Sequence, residues 1–233
     1  MPKVRIHLGN PLAFWGQRPM RPIMLDSVLG YVSMLSKGAA KTPAEIRTPA
    51  FPELPIEKEG PPGREWYRAS AMFVPKEAEW QPGAFVRRPD WFGDFGHMKT
   101  NAMQSGAYRG YMEPLWYLVT PYVDFYFDGD TGAVAGLLQG LHRLGYLGSR
   151  RGGGHGRITR IELFRKSEDW AVWKDGLPTR PVPVDAAGEK DIPRDWQAYR
   201  PPYWHPENRT WCYVLPVEQW CPRVDIQKAI SEF

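Results

Sequence analysis

Two helical stripes, each approached by an alternating strand, set the strongest limit on how this chain can fold. Apolar residues fall at Leu25, Val28, Leu29, Val32 and Leu35 in the first stripe, and at Val134, Leu137, Leu138, Leu141 and Leu144 in the second. The offsets are the same in both, and they line one face of an α-helix. Before the first stripe, Val4, Ile6 and Leu8 alternate with Lys3, Arg5 and His7. Before the second, Val123, Phe125 and Phe127 alternate with Tyr122, Asp124 and Tyr126. A period of two marks a strand with one buried and one wet face. The repeat is either a duplicated strand–helix unit or the stripe that any packed helix shows, and both readings stay open. Gly38 is expected to stop the first helix, and Asp130 or Thr131 to cap the second.

Much of the remaining chain resists regular structure, since 24 residues are proline and 23 are glycine. Prolines at 43, 49, 52, 55, 61 and 62 make residues 41–63 loop. Residues 67–74 are expected to form a strand. Residues 75–112 read as an irregular, aromatic, arginine-studded insert, of the kind that is usually functional or mobile. A strand is expected over 157–164, a loop-rich stretch over 166–209, a late strand over 210–215 and a short helix over 224–230. The order β-α-β-insert-β-α-glycine loop-β fits an α+β protein. Its expected architecture is a ferredoxin-like (RRM-like) β-α-β-β-α-β sandwich with two helices on one face of an antiparallel sheet. The corresponding division is a domain over 1–165 carrying an insert at about 75–112, then a loop-rich C-terminal extension over 166–233.

Several function classes drop out on composition. No apolar run is long enough to cross a membrane as a helix, and the first residues do not read as a signal peptide. Cys212 and Cys221 are the only cysteines, too few for a disulfide scaffold and not in a CxxC pair. A cytoplasmic protein with reduced thiols is expected. His7, His97, His142, His155 and His205 show no metal-ligand spacing, and no cofactor is expected. Asp124, Asp128 and Asp130 lie close together, but turn and capping duties explain them.

The net charge of +4 is unevenly spread. Residues 140–166 hold Arg143, Arg150, Arg151, Arg157, Arg160, Arg165 and Lys166 against a single acid, Glu162. These cations surround Gly152, Gly153, Gly154, His155 and Gly156. Glycine loops let a phosphate approach the backbone, because no Cβ intervenes and N–H dipoles can face the anion. Arginines add bidentate phosphate contacts. The glycines follow a helix and precede a strand, so they fail the dinucleotide-binding context. There is no nucleoside-triphosphate P-loop motif. An extended polyanion such as RNA remains, against the alternative of a flexible connection with solvated charges.

The insert is the second candidate surface. Arg87, Arg88, Lys99 and Arg109 sit among Trp80, Phe85, Trp91, Phe92, Phe95, Tyr108 and Tyr111. Cations that track a backbone and rings that stack on bases hold single strands. The same residue types also anchor protein interfaces, and the two readings carry equal weight. His155 in its basic loop reads first as a phosphate-binding residue. Acid–base cleavage of RNA, with His155 and a tyrosine, is the alternative. A purely protein-interacting scaffold is a third reading.

These pieces together resemble the CRISPR-associated RAMP proteins. The resemblance rests on LDSVLGYVSML (25–35), the later strand–helix pair and GSRRGGGHGRI (148–158). The run MKTNAMQSGAYRGYMEPLWYLV (98–119) is similar to a stretch in handle-binding RAMP subunits, with Arg109 in place of lysine. The opening HLGNPLAF and the following RPIMLDSVLGY look most like the type IV effector version of the Cas-five family. The resemblance implies a non-catalytic subunit of a crRNA-guided complex that holds the 5′ handle of the crRNA. Such a subunit caps the backbone filament and contacts both the filament subunit and the large subunit, with target DNA a further candidate partner. The insert would be its thumb, and the glycine loop would lie against RNA. No second RAMP motif is found over 166–233.

Overall fold

Alternation in the first strand builds the central sheet. The computed structural model describes residues 1–15, 21–36, 51–87 and 111–220. Within them, β1 (Lys3–Leu8), β2 (Leu12–Trp15), β3 (Lys58–Glu59), β4 (Trp66–Tyr67), β5 (Glu79–Arg87), β6 (Tyr111–Val119), β7 (Tyr122–Tyr126) and β8 (Ile158–Phe164) come in chain order. Five short strands follow: β9 (Trp173–Lys174), β10 (Leu177–Pro178), β11 (Val182–Pro183), β12 (Arg194–Ala198) and β13 (Arg209–Tyr213). The two long helices are α1 (Leu25–Ser36) and α2 (Thr131–Leu144). The protein is thus mixed α and β, with mostly antiparallel sheets and few helices. No described helix is long and apolar enough to cross a membrane.

β1 runs antiparallel between β7 and β8. Val4 faces Phe125 and Leu163, and Ile6 faces Val123 and Ile161. These side chains join Leu25, Leu29 and Val32 of α1 and Val134, Leu138 and Leu141 of α2 in one core. A Cβ on Gly140 would lie 2.8 Å from Val32, so glycine there lets the two helices approach. Asp130 is the N-cap of α2, its carboxylate accepting from the Gly132 and Ala133 N–H groups at 2.8 and 3.1 Å.

The strand expected at 67–74 is β4 followed by isolated bridges. Residues 68–73 run antiparallel along β7, where Phe73 and Asp124 exchange backbone bonds of 2.8 and 2.9 Å. The ladder breaks because the Tyr126 N–H donates to the Ser70 hydroxyl at 2.9 Å. Ala71 and Met72 meanwhile donate outward, to Thr179 and Ile23. From one edge the order is therefore residues 68–73, β7, β1, β8. The chain passes from β7 to β8 through α2, with β1 lying between the two strands.

The insert departs from the irregular reading. β5 and β6 form a nine-residue antiparallel ladder, and β2 pairs with the other side of β6. Pro82, Gly83 and Pro114 hide the alternation in the sequence. β5 is the edge strand of this sheet, and Pro114 lies one residue beyond the register with β2, so both prolines occupy tolerated places. The Tyr117 ring covers Gly83, where a Cβ would come within 2.1 Å. Arg88, Lys99 and Arg109, the stop at Gly38 and the helix expected over 224–230 lie outside the described residues.

Residues 167–220 are not loose. β11 and β12 flank β13, which falls where the late strand is expected. Ala171, Val172, Val182, Tyr199 and Cys212 form a second core with Trp66. Arg180 joins this part to the first core. It is wholly buried, as is its partner Asp26, at 3.1 Å. The guanidinium also donates to the carbonyls of Tyr67, Ala69 (2.9 Å) and Tyr199 (2.7 Å), and lies 3.0 Å from the Tyr203 hydroxyl. Burial pushes the Asp26 carboxyl upward, against the attraction of Arg180 and the hydrogen bond from Tyr203.

Breaking a buried ion pair from one side leaves an uncompensated charge. Arg180→Met is expected to lower stability by about 3–5 kcal/mol, measured by urea unfolding. Burial also pushes the Cys212 thiol up to about 12. In a Cys221→Ser background Cys212 should therefore resist a thiol reagent until the protein is unfolded.

Candidate nucleic-acid interface

The glycine segment grows out of the end of α2. Gly145 caps that helix with a left-handed φ of 78° and donates to the Leu141 carbonyl at 3.1 Å. The chain then closes a neck. Leu147 donates to Gly156 and Ile158 donates to Gly145, both at 2.8 Å. Gly156 is buried in this neck with φ +67°, and a Cβ there would lie 2.0 Å from the Leu147 carbonyl oxygen. Its glycine is a packing requirement. Residues 148–155 project from the neck and are pinned to the bend between β1 and β2. Ser149 Oγ donates to the Ala13 carbonyl at 2.6 Å, the Asn10 side chain to Gly154 at 2.7 Å, and Gly156 N to Pro11 at 2.8 Å.

The tip is a single tight turn, Arg151–Gly153, flanked by left-handed Arg150 (φ 59°) and Gly154 (φ 80°). Gly152 and Gly153 are exposed, and a Cβ on Gly152 would meet nothing within 4 Å. Not all of the glycine N–H groups face outward, however. Those of Gly153 and Gly154 donate to the Arg150 and Arg151 carbonyls at 2.9 Å, closing the turn. These two N–H groups are therefore not available to an anion, and what the tip offers to solvent is chiefly its side chains.

Those side chains are strapped in place from two directions. Arg150 forms an ion pair with Glu113 on β6 and lies 4.2 Å from the Phe85 ring on β5. His155 stacks on Tyr117 of β6, with ring centres 4.9 Å apart and planes at 25°. On the other side, exposed Arg151 donates to the Tyr31 hydroxyl of α1 at 2.9 Å. A hollow of about 310 Å³ lies at this seam, lined in part by Val28, Tyr31, Leu144, Tyr146 and Arg151. Arg157 is exposed at the neck, and Arg143 is exposed in the last turn of α2. Arg160 is exposed too, but Glu162 lies 3.1 Å away and is also bound by His7 at 2.7 Å. The His7 hydrogen bond, helped by Arg160, holds the Glu162 carboxyl below its ordinary range.

Of the residues singled out in the sequence, Arg150 to Arg157 share one loop, while Arg87 stands at the end of β5 opposite Tyr111. Arg150 is tied to the hairpin through Glu113 and Phe85. Sequence reasoning missed Asn10, Tyr31, Glu113 and the role of Tyr117. Tyr31 carried a legible signal, an aromatic on α1 off the apolar stripe. Glu113 carried none, because its partner is 37 residues away. Among the described residues no group of three His, Cys, Asp or Glu side chains is arranged to hold a metal.

A family model described as CRISPR type IV associated protein Csf3 matches residues 3–215. The chain belongs to this family. The match spans both cores and the glycine segment, and it agrees with the type IV resemblance of the opening residues. Membership implies a place in a CRISPR effector complex. No curated protein matches the chain.

The two kinds of glycine in the loop should separate cleanly. Gly156→Ala is expected to cost about 2 kcal/mol or more, from the clash and the strained φ. Gly152→Ala should leave the melting temperature unchanged. Thermal unfolding of the two variants is the check.

Proposed function

We propose that this protein is the non-catalytic, RNA-holding subunit of a type IV crRNA-guided complex. It grips the 5′ handle of the crRNA and caps the backbone filament, touching the filament subunit and the large subunit, with target DNA nearby. The observation that carries the reading is the strapped glycine loop. A protruding turn, fixed between a hairpin and a helix, holds Arg151 and Arg157 in water beside exposed glycines. A preordered cationic turn loses little entropy on meeting a phosphate chain, and arginine is suited to bidentate phosphate contact.

The fold supports the same reading. A ferredoxin-like β-α-β-β-α-β unit is the architecture we propose, with residues 68–73 as its irregular edge strand. The β5–β6 hairpin is then the root of the thumb. We also propose that the subunit holds RNA without cutting it. The His155 ring lies flat against Tyr117, an arrangement suited to fixing the imidazole more than to cycling protons.

The test uses the subunit assembled with its partners and crRNA. Arg151→Ala/Arg157→Ala should lower retention of crRNA as salt is raised. It should also reduce the salt slope by about 0.7 for each single-strand phosphate that is no longer neutralised. Unchanged retention would place the handle elsewhere. Purified protein should leave repeat RNA intact in EDTA. Cleavage that disappears in His155→Ala would make the protein a ribonuclease instead.

A further inference from the structure

The small C-terminal sheet exposes an aromatic array that the proposed handle site does not use. Trp196 on β12 and Trp211 on β13 are direct partners in the ladder. Their rings meet edge to face, 6.1 Å apart at 76°. Each leaves about half its surface in water, 51% and 57%. Tryptophans so exposed do no work in the core.

Their surroundings continue the pattern along the same face. Residues two apart on a strand share a face, so Trp211 leads to Tyr213 and Trp196 leads to Arg194. Arg194 and Tyr213 are themselves cross-strand partners, and the guanidinium lies 5.7 Å from the Tyr213 ring centre. Trp173 follows, 6.4 Å from Tyr213, with the Lys190 ammonium 5.0 Å from its ring. The Tyr213 hydroxyl is fixed, donating to the Gly188 carbonyl at 2.6 Å and accepting from Lys190 N at 2.8 Å. The exposed part of this row is the Trp196–Trp211 pair, because Tyr213 is wholly buried and Trp173 half-buried, while the Lys190 and Arg194 side chains are exposed alongside.

We infer that the exposed end of this row, Trp196 with Trp211, is a platform for single-stranded nucleic acid, separate from the glycine loop. Indole faces stack on bases of any sequence, and Lys190 and Arg194 meet the phosphates alongside. Of the acids on this stretch, Glu189 pairs with Arg194 at 3.2 Å but is almost fully exposed. A surface pair of that kind is worth little and yields to a phosphate. A protein hot spot would instead seat its tryptophans in a water-excluding apolar surround. Here the same-face neighbours two residues away include Arg194 and Arg209, on either side of the indole pair.

The test measures binding of the full-length protein to a fluorescent oligothymidylate. Trp196→Ala/Trp211→Ala should weaken binding by about tenfold or more, the loss of one to two base stacks. Trp196→Phe/Trp211→Phe should keep most of the affinity, which separates stacking from folding. Photo-cross-linking of the unaltered protein to a halogenated oligothymidylate should map to Trp196 or Trp211. Three results overturn the inference: unchanged affinity in the alanine variant, cross-links only elsewhere, or loss of partner subunits with oligonucleotide binding intact. Arg151→Ala/Arg157→Ala should spare the cross-links to this row, so the two sites fail independently.

Discussion

One buried guanidinium holds the two halves of this molecule in register. Arg180 comes from the C-terminal part, yet its donors end on Asp26 of α1 and on carbonyls of residues 67 and 69. The Ala69 carbonyl belongs to the irregular run that borders β7, where Arg180 supplies a donor that a regular neighbouring strand would otherwise give. The charge is tolerated because nearly every donor has an acceptor, and because a carboxylate and a tyrosine hydroxyl lie against it. What looks loop-rich in composition is therefore tied into the first core through Arg180.

The glycine loop depends on that frame at one remove. α1 lies against α2, α2 delivers the neck, and the bend after β1 supplies the carbonyl acceptors that pin the loop. Glycine does two unrelated jobs within nine residues. At Gly156 it removes a side chain that would collide with the neck, while at Gly152 it opens the tip to solvent. The arginines divide in a similar way. Arg150 turns inward to Glu113, and Arg151 and Arg157 face water. A composition count gives all three the same charge, but only geometry separates a strut from a contact.

Legibility followed the reach of the interaction involved. Both long helices, their stripes, the Asp130 cap and the alternating strands β1 and β7 were readable because local periodicity creates them. The basic glycine segment was readable as a candidate site for the same reason. The β5–β6 ladder was not, since Pro82, Gly83 and Pro114 erase its alternation and an aromatic from the partner strand makes good the gap. Asp26 was also opaque. A buried acid next to an apolar stripe makes sense only once Arg180, 154 residues away, is known to meet it.

The paired straps between the loop and the hairpin have a mechanical meaning. The ion pair of Arg150 with Glu113 and the ring stack of His155 on Tyr117 grip one strand at two points four residues apart. Two such fastenings fix the orientation of the cationic turn on β6 as well as its distance from that strand.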